Sequence, residues 1–467
     1  MGKLKIKPKQ LTALGFPQNP AISMAISILE KNYKHATFVE VEPFLKALVE
    51  TPEKYYHHDL FGKVAERIQP MPEPIKEKPI IRANPLIYNT FGAEHIEKEA
   101  VLQMNTAMRL PITVSGALMP DAHAGYGLPI GGVLATEGAV IPYGVGVDIG
   151  CRMCLSIYPM DGAEFPKRAK MFEQALKAHT LFGTGGNWGT MQEHAVIEST
   201  VFDDVPILRD MRGRAARQLG TSGSGNHFVE FGIVNIEQDD ADLGIKAGQY
   251  VGLLSHSSSR SLGATVANYY TRIAMSKRLL TGDAKQLAWL RMDEQEGIEY
   301  WLAMNLAGDY SAACHQHIHQ RIAKTIDIQP LATIENHHNF AWKETIDGKE
   351  CIVHRKGATP AGKGVMGIIP GSMATAGYIV RGKGEVASIH SAAHGAGRKM
   401  SRKRAKESIT HHAMKQLLEK HNVTLIGGNL DEAPHAYKDI EAVMQSQKAL
   451  VDVVGTFMPQ IVKMDIG

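Results

Sequence analysis

The sequence predicts an α+β fold, in which a large core of β-sheets flanked by helices follows a helical N-terminal extension. Residues 19–69 carry apolar positions at spacings of three and four with few glycines, a pattern that indicates helices. From about residue 110 the chain changes to short β-branched runs broken by glycine, such as LPIGGVLATEGAVIPYGVGVDIGC. Helical patterns return between such runs, and this mixed order favours a single α+β core.

A change in composition sets the expected limits of the parts. The segment MPEPIKEKP, at 71–79, is rich in proline and charge, which is typical of a linker. We therefore assign residues 1–80 to the helical extension, 81–110 to a linker and entry to the core, and 111–467 to the core. Within the core, helical spacing recurs at 163–179, 264–325, 401–421 and 437–454.

Charge and cysteine content narrow the class of protein. The chain has 51 basic and 48 acidic residues, a net charge of +3, which excludes a polybasic arm and an acidic disordered chain. Four cysteines in 467 residues are too few for a disulfide-stabilised secreted domain, so we expect a reduced, cytoplasmic protein. No apolar stretch approaches the roughly 20 residues of a spanning helix, so we expect no membrane partner.

The segment GVGVDIGC is the first candidate for metal binding. Asp148 and Cys151 lie three residues apart on a glycine-rich turn, where a carboxylate and a thiolate are suited to a divalent metal. A strand end with a buried cysteine is the plainer interpretation. Cys151 and Cys154 form a CxxC, but no second CxxC is present to complete a structural zinc site.

Two further turns carry polar side chains next to apolar strands. GTSGSGNHFVEF, at 220–231, presents Asn226, His227 and Glu230, with backbone N–H groups suited to an anion. LLSHSSSRSLG carries His256 and then Arg260, an arrangement suited to phosphate recognition. The plainer interpretations are a hydrogen-bonded core histidine and an ordinary serine turn.

Other histidine groups are judged by spacing. His337 and His338 are adjacent in a strand-like run, so at most one of them faces a given site. His315, His317 and His319 alternate within a helical pattern, where a spacing of two does not converge. We therefore interpret HQHIH as a solvated or partly packed helix face.

GATPAGKG, at 357–364, nearly matches a phosphate-binding loop. Gly364 stands where that loop has the hydroxyl for Mg²⁺, and VMGIIPGS after it has the pattern of a strand rather than a helix. We therefore exclude an NTPase of the phosphate-loop class.

HSAAHGAGRKMSRKRAK, at 390–406, combines a histidine on a turn with basic residues. His394 is followed by Gly395 and Gly397, and Arg398 and Arg402 are expected on one helix face. A histidine beside guanidinium groups is suited to attack a phosphorus atom whose oxygens the arginines neutralise. A basic helix start that binds phosphate passively fits the same residues.

Taken together, several segments resemble the RtcB family of GTP-dependent RNA ligases, in the order of that family and over roughly residues 100–460. They are MPDAHAGYGLPIGG, GVGVDIGC, GSGNHFVEF, HSSSR, HHN, IIPGSM, HGAGRKMSR and AYKDIEAVM. The resemblance implies an RtcB-like core with two Mn²⁺ ions, held by Asp148, Cys151, His227, His256 and His338. Ligand softness alone favours zinc for such donors.

The resemblance also implies roles for the remaining residues. His394 matches the histidine that takes GMP from GTP as a covalent phosphoramidate. The guanylate pocket corresponds to Asn226, Glu230, Ser372, Gly395, Gly397 and Tyr437, and Arg260, Arg398 and Arg402 correspond to phosphate-binding arginines. The family's C-terminal lysine reads guanine; this chain ends in KMDIG, and Lys463 is the nearest candidate at a shifted spacing.

The implied reaction joins RNA ends in three steps. GMP passes from GTP to His394 with release of pyrophosphate, then to an RNA 3′-phosphate, and a 5′-hydroxyl finally expels GMP. A 2′,3′-cyclic phosphate is first opened by hydrolysis. The expected partners are GTP and RNA with such ends, and the sequence leaves open an activating protein.

Two departures and two other functions accompany this interpretation. Arg152 and Ser258 replace glycines of the family pattern, and we expect both to reshape the entry for RNA.

One alternative function is a metal-dependent RNA-end processing enzyme, a cyclic phosphodiesterase or 3′-end capping enzyme without efficient ligation. The other is a non-catalytic RNA-binding paralogue that uses the basic cluster at 398–406.

Overall fold

The computed structural model describes residues 4, 6–33, 36–56, 58, 60–70 and 76–466. The chain divides into two compact units, residues 1–76 and 77–467. The predicted linker at 71–79 lies partly outside the described residues, because 71–75 do not belong to them.

The first unit is helical, as the spacing in residues 19–69 predicts. Its core is closed by Leu11, Leu29, Leu45 and Phe61, all fully buried. The helices are α1 (Pro8–Ala13), α2 (Ala21–Asn32), α3 (Phe38–Glu50) and α4 (Gly62–Ile68), with a 3₁₀ turn at Pro52–Tyr55. This unit therefore has an apolar core of its own.

The second unit mixes helices and strands, and confirms the predicted α+β class. The helices are α5 (Lys98–Met108), α6 (Pro142–Val145), α7 (Phe165–His179), α8 (Val201–Asp204), α9 (Arg212–Gln218), α10 (Arg260–Lys277), α11 (Gln295–Ile326), α12 (Arg402–Ser408), α13 (His411–Lys420) and α14 (Ile440–Ser446). Short 3₁₀ turns lie at Ala93–His95, Gly162–Glu164, Ala195–Glu198, Pro206–Leu208, Gly282–Leu287, Val386–Ser388, Leu430–Glu432 and Pro434–Ala436.

The strands of this unit are mostly short. They are β1 (Asn89–Thr90), β2 (Thr113–His123), β3 (Ile130–Thr136), β4 (Ala139–Val140), β5 (Arg152–Asp161), β6 (Phe228–Ile236), β7 (Gly248–Ser257), β8 (Leu290–Arg291), β9 (Ala332–His337), β10 (Asn339–Ile346), β11 (Lys349–Lys356), β12 (Ala358–Pro360), β13 (Met366–Ile369), β14 (Gly377–Gly382), β15 (Ser391–Ala393), β16 (Thr424–Ile426) and β17 (Val451–Met464).

Two larger sheets organise these strands. The eight-stranded sheet has the order β13-β14-β17-β6-β7-β5-β9, with β16 pairing parallel to β17. The five-stranded sheet has the order β1-β2-β3-β11-β10, and β12-β15 and β4-β8 form small pairs. Both faces of the eight-stranded sheet are buried: α7 and α11 cover one face, and the other carries the candidate site described below.

Two predicted helical segments are interrupted. Residues 264–325 form two helices, because Gly282 takes a positive φ of 57° after α10 and the chain crosses β8 before α11. Residues 437–454 form α14 and then enter β17, where Val451 and Val453 pair with β14. In both places a local breaker or β-branched run overrides the helical spacing.

The exclusion of a phosphate-binding loop at 357–364 agrees with the fold. The loop joins β12 to β13, so a strand follows it and no helix N-terminus is available to an anion. Among the described residues, no helix is both long and apolar enough to cross a bilayer.

Candidate active site

Five side chains predicted to bind metal converge at one end of the eight-stranded sheet. Cys151 directly precedes β5, His227 precedes β6, His256 lies near the end of β7, and His338 follows β9. These four strands are neighbours, and Phe228 and Met153 both pair with His256. The register therefore brings residues distant in sequence to a single edge, next to Asp148 on the turn before β5.

The distances within this group are those of donors around a shared point. Cys151 Sγ lies 3.1 Å from His256 Nε2 and 3.5 Å from His227 Nε2. His227 Nε2 is 3.0 Å from Asp148 Oδ2, and His256 Nε2 is 3.3 Å from His338 Nε2. All five predicted ligands thus lie in one cluster, which we call the metal cluster.

The protonation states of the metal cluster suit a divalent ion. His256 Nδ1 is 3.0 Å from the Asn226 carbonyl, so it carries the proton and its Nε2 lone pair faces the cluster. Burial lowers the pKa of His256 to about 3, and burial together with the charge of Asp148 raises the pKa of Cys151. Neutral imidazoles, a carboxylate and a thiol that loses its proton to a metal are an appropriate donor set.

His394 lies beside the metal cluster and is held by a carboxylate. It follows β15, and its ring centroid is 4.9 Å from that of His338. The fully buried Asp121 accepts hydrogen bonds through Oδ2 from His394 Nδ1 at 2.6 Å and from the His394 backbone N–H at 3.2 Å. Asp121 lies in the segment MPDAHAGYGLPIGG, but no local pattern there indicates that it contacts His394.

Gly397 explains why this turn is rich in glycine. Its φ is 71°, and a Cβ there would lie 2.1 Å from the backbone oxygen of Asp121. Only glycine permits this close approach of the His394 turn to β2. The glycine therefore positions His394 against its carboxylate partner.

One cavity joins these groups. It has about 1070 Å³ of empty space including its open mouth, and its lining includes His394 together with His256 and His338 of the metal cluster. One part is apolar, with Phe228, Leu254 and Phe457, while His394 lies in the polar part. The predicted residues that line it are Asn226, Glu230, His256, His338, Ser372, His394, Gly395, Gly397, Arg398, Arg402 and Tyr437.

Glu230 is the buried carboxyl of this cavity. It is 4% exposed, and burial raises its pKa well above the ordinary value. A carboxyl placed in an apolar recess is costly unless a ligand supplies donors to it. The position therefore favours a ligand whose polar N–H groups reach into the recess.

The side chains of Arg398 and Arg402 converge, but the two residues do not lie on one helix face as predicted. α12 begins at Arg402, capped by the Ser401 side chain, and Arg398 lies before it in an isolated bridge with Tyr437. The prediction of one helix face is therefore wrong. Both guanidiniums converge on buried Glu432, at 3.4 Å for Arg398 and 2.7 Å for Arg402.

Acidic partners of these arginines were also missed. Arg402 contacts Asp431 at 3.1 Å, and the Tyr437 hydroxyl donates to Glu432 in a short contact. Residues 430–435 belong to none of the quoted segments, so only the fold reveals that Asp431 and Glu432 orient the basic turn.

Arg260 lies behind the metal cluster rather than in the cavity wall. Its Nε donates to Thr221 Oγ1 at 3.0 Å and a terminal nitrogen to the Gly183 carbonyl at 2.5 Å. A Cβ on Gly223 would lie 1.8 Å from His227 Nδ1 and 3.0 Å from Arg260. Arg260 is therefore adjacent to a metal ligand, where it adds positive charge.

Lys463 does not fit the role of guanine reader. Val462 and Met464 line the cavity, so Lys463 between them on β17 faces the opposite side of the sheet. Its Nζ donates to the carbonyls of Leu176 and Thr180 at 3.0 and 2.9 Å, at the C-terminal end of α7. The strand alternation thus contradicts our expectation for Lys463.

Two further expectations need correction. Arg152 is buried beneath α11, where it donates to the Gly308 carbonyl at 2.9 Å and pairs with Glu335 at 3.3 Å. Ser258 is 1% exposed. Neither side chain lies at an entry for RNA, because both belong to the packed interior.

The histidines of HQHIH are more buried than predicted. His315 and His319 are 0% and 7% exposed and face the sheet, whereas His317 is half-buried. The spacing of two does not converge on a helix, but 315 and 319 are four apart and share a face. By contrast, only His338 of the pair 337–338 joins the metal cluster, as predicted, while His337 packs against Phe340 and Trp342.

Comparison with known proteins shows the family of this chain. The family model described as tRNA-splicing ligase RtcB matches residues 103–205 and 190–465. The RNA-splicing ligase RtcB of Escherichia coli K12 is 32% identical over 394 residues, which cover 77% of this chain and 93% of that protein. The tRNA-splicing ligase RtcB of Nanoarchaeum equitans is 31% identical over 433 residues, covering 78% and 91%. The chain belongs to the RtcB family and is an RNA ligase.

Proposed function

We propose that this RNA ligase uses GTP and Mn²⁺ to join RNA 3′-phosphate or 2′,3′-cyclic phosphate ends to 5′-hydroxyl ends. His394 is the nucleophile that carries GMP. The observation that supports this best is the position of His394, which shares one cavity with the metal cluster while Asp121 binds its Nδ1.

The hydrogen bond to Asp121 prepares His394 for attack. A carboxylate accepts the Nδ1 proton, so the lone pair is on Nε2 and available to a phosphorus atom. Nε2 forms the bond to the α-phosphorus of GTP, the bond from that phosphorus to the bridging oxygen breaks, and pyrophosphate leaves. Asp121 stabilises the positive charge that the ring acquires.

The cavity suggests how the nucleotide lies. The guanine enters the apolar part, where the Glu230 carboxylate accepts from the two N–H donors on the guanine edge. Ser372, Asn226 and Tyr437 line the walls around the sugar and base, and the backbone at Gly395 and Gly397 leaves room for the α-phosphate.

Cationic groups hold the phosphates. Arg398 and Arg402 border the same cavity as His394, whereas Arg260 lies outside the cavity wall and adds positive charge from behind His227. Guanidinium groups neutralise phosphate oxygens through paired hydrogen bonds. The exposed Lys403 and Arg404 of α12 extend this charge toward solvent and suit an RNA backbone.

The metal cluster would hold two Mn²⁺ ions through Asp148, Cys151, His227, His256 and His338. Such ions polarise phosphoryl oxygens and bind the attacking and leaving oxygens. The thiol and three imidazoles also suit zinc, so the identity of the metal is a direct target of experiment.

The four cysteines are free and buried, which suits a reducing compartment, and we propose a cytoplasmic location. RNA with the ends named above is the proposed substrate, and an activating protein is a further proposed partner. The proposed reaction assigns no residue of the helical unit at 1–76 to the site.

The decisive experiment follows label from GTP. The protein is incubated with α-³²P-labelled GTP and each divalent metal in turn, and protein-bound label is measured after denaturation. We expect label with Mn²⁺, and none with His394→Ala. His412→Ala, an exposed histidine of α13, is the matched control and should label as the parent does.

A second assay supplies RNA with defined 3′-phosphate and 5′-hydroxyl ends. Joined product that requires GTP supports the proposal. Opened or capped ends without joined product would instead indicate an RNA-end processing enzyme, and equal labelling of His394→Ala would refute the covalent histidine.

A further inference from the structure

A second group of metal-ligating side chains lies on the opposite face of the eight-stranded sheet from the metal cluster. Cys154 of β5 and His315 and His319 of α11 are buried, and one donor atom of each lies within 4.8 Å of the others. Cys154 pairs with Ser255 across β5 and β7, so both side chains face α11. We call these three residues the α11 cluster.

The two histidines have the orientation of metal ligands. His315 Nε2 is 3.3 Å from the Ser257 carbonyl, which only accepts, so Nε2 carries the proton and the Nδ1 lone pair is free. His319 Nδ1 is 2.7 Å from Ser156 Oγ, which holds that side of the ring. Each ring is thus fixed through one nitrogen while the other nitrogen points inward, as in metal sites with outer hydrogen bonds.

The inward nitrogens share one neighbour. Ser255 Oγ lies 2.6 Å from His315 Nδ1 and 2.8 Å from His319 Nε2. A serine hydroxyl therefore lies between two imidazoles, opposite the Cys154 thiol. Two imidazole nitrogens, one thiol sulfur and one hydroxyl oxygen therefore surround this point.

We propose that the α11 cluster binds one zinc ion through Cys154, His315 and His319, with the Ser255 hydroxyl at the fourth position. Zinc prefers four tetrahedral ligands of these types, at about 2.0–2.3 Å. Ligand atoms on such a tetrahedron are about 3.4 Å apart, so Ser255 Oγ has to withdraw by about 0.6–0.8 Å from each imidazole. The α11 cluster shares no side chain with the metal cluster.

Charge and protonation are consistent with this site. Burial lowers the pKa of His319 to about 3 and that of His315 well below its ordinary value, so both rings are neutral. Burial raises the pKa of Cys154, and zinc binding replaces the thiol proton: the S–H bond breaks, a Zn–S bond forms, and H⁺ leaves. Glu335, which pairs with Cys154 across β5 and β9, forms an ion pair with Arg152 at 3.3 Å, so these two side chains together add no net charge beside the site.

The site would fasten α11 to the sheet. Its ligands come from β5, β7 and one long helix, and His256 projects from the other side of β7. A zinc ion here stabilises the strands that carry the metal cluster without contact with GTP or RNA.

Cobalt substitution tests the proposal. In a Cys151→Ala background the metal cluster has no thiolate, so any thiolate-to-cobalt charge-transfer absorption in the Co²⁺-loaded chain must come from another cysteine. We expect this absorption in Cys151→Ala, its loss in Cys151→Ala/Cys154→Ser, and its retention in Cys151→Ala/Cys351→Ala. Cys351, a buried cysteine of β11 far from α11 in sequence, is the matched control.

Metal content gives a second measurement. The protein purified after growth with zinc should contain about one more zinc per chain than Cys154→Ser or His319→Gln, and its melting temperature should be higher by several degrees. The proposal is wrong if Cys151→Ala lacks the absorption while circular dichroism shows a native fold, or if the absorption survives without Cys154. Should Cys154→Ser fail to fold, His319→Gln gives the same comparison. None of these measurements involves ligation, so they stand apart from a failure of the proposed function.

Discussion

Asp121 and His394 form a hydrogen-bonded pair beside the cavity, with Asp121 Oδ2 2.6 Å from His394 Nδ1. The two residues are 273 positions apart in the chain, and Asp121 is fully buried while His394 remains open to the cavity. A buried carboxylate on Nδ1 fixes both the ring orientation and the nitrogen that keeps its lone pair.

The first prediction concerns the charge of Asp121. Asp121→Asn keeps an oxygen that accepts from Nδ1 but removes the negative charge that stabilises the ring after attack. We expect transfer of labelled GMP to His394 to slow by about 100-fold or more, with GTP affinity changed little. Single-turnover labelling measures the rate of GMP transfer, and equilibrium binding measures the affinity for GTP separately.

Asp452→Asn, at an exposed carboxylate on β17, is the control and should label normally. If Asp121→Asn transfers GMP as fast as the parent, the negative charge of Asp121 does not assist attack by His394.

The second prediction is that Lys463 stabilises the fold and does not bind the nucleotide. Its Nζ binds carbonyls at the end of α7, where a positive charge also interacts favourably with the helix dipole. We expect Lys463→Met to lower the free energy of unfolding by about 1 kcal/mol and to leave guanylylation within about twofold. Urea unfolding measures the free energy of unfolding, and the labelling assay measures guanylylation. A large loss of GTP selectivity would show that Lys463 reaches the base during turnover.

The third prediction assigns the guanine edge to Glu230. Glu230→Gln keeps size and shape but places an amide N–H₂ where guanine also donates, so one hydrogen bond is lost and a donor faces a donor. We expect the GTP-to-ATP ratio of labelling rates to fall about 10- to 100-fold, equivalent to about 1–3 kcal/mol. Competition between the two labelled nucleotides measures this ratio, and an unchanged ratio would exclude Glu230 from recognition of the base.

The sequence predicts the metal cluster better than it predicts the surroundings. The resemblance to the RtcB family indicates Asp148, Cys151, His227, His256 and His338, which lie at or next to the ends of strands that pair with one another. A short motif on a turn can be recognised in the sequence whatever side chains pack around it. The short motifs around these residues therefore indicate the metal cluster.

Residues whose role depends on long-range packing were harder to predict. Asp121 acts through a residue 273 positions away, and Glu432 orients two arginines from a segment without any distinctive pattern. Lys463 lies on β17, where strand alternation turns it away from the cavity, and in HQHIH the spacing of two obscures the spacing of four between His315 and His319. Local periodicity cannot indicate which helix face meets a polar layer of a sheet.

The last prediction concerns acid stability and rests on His354. This residue of β11 is fully buried; its Nε2 accepts from the Ile141 N–H at 2.9 Å, and its Nδ1 donates to the Leu134 carbonyl at 3.1 Å. The bond from the Ile141 N–H requires the neutral ring, because a protonated Nε2 cannot accept a hydrogen bond. Burial lowers the pKa of His354 from 6.5 to about 4, so the unfolded chain binds a proton at a pH where the folded chain does not.

The sign follows from this difference: the stability that neutral His354 supports is complete above pH 6.5 and is lost as the pH falls toward 4. Between pH 7 and pH 5 we expect a loss of about 2 kcal/mol from this residue. His354→Gln, which can also accept and donate, should show a correspondingly smaller loss over the same interval. Urea unfolding followed by tryptophan fluorescence measures it, because all four tryptophans lie in the second unit. An equal acid sensitivity in His354→Gln would assign the effect to the other buried histidines, such as His319, instead.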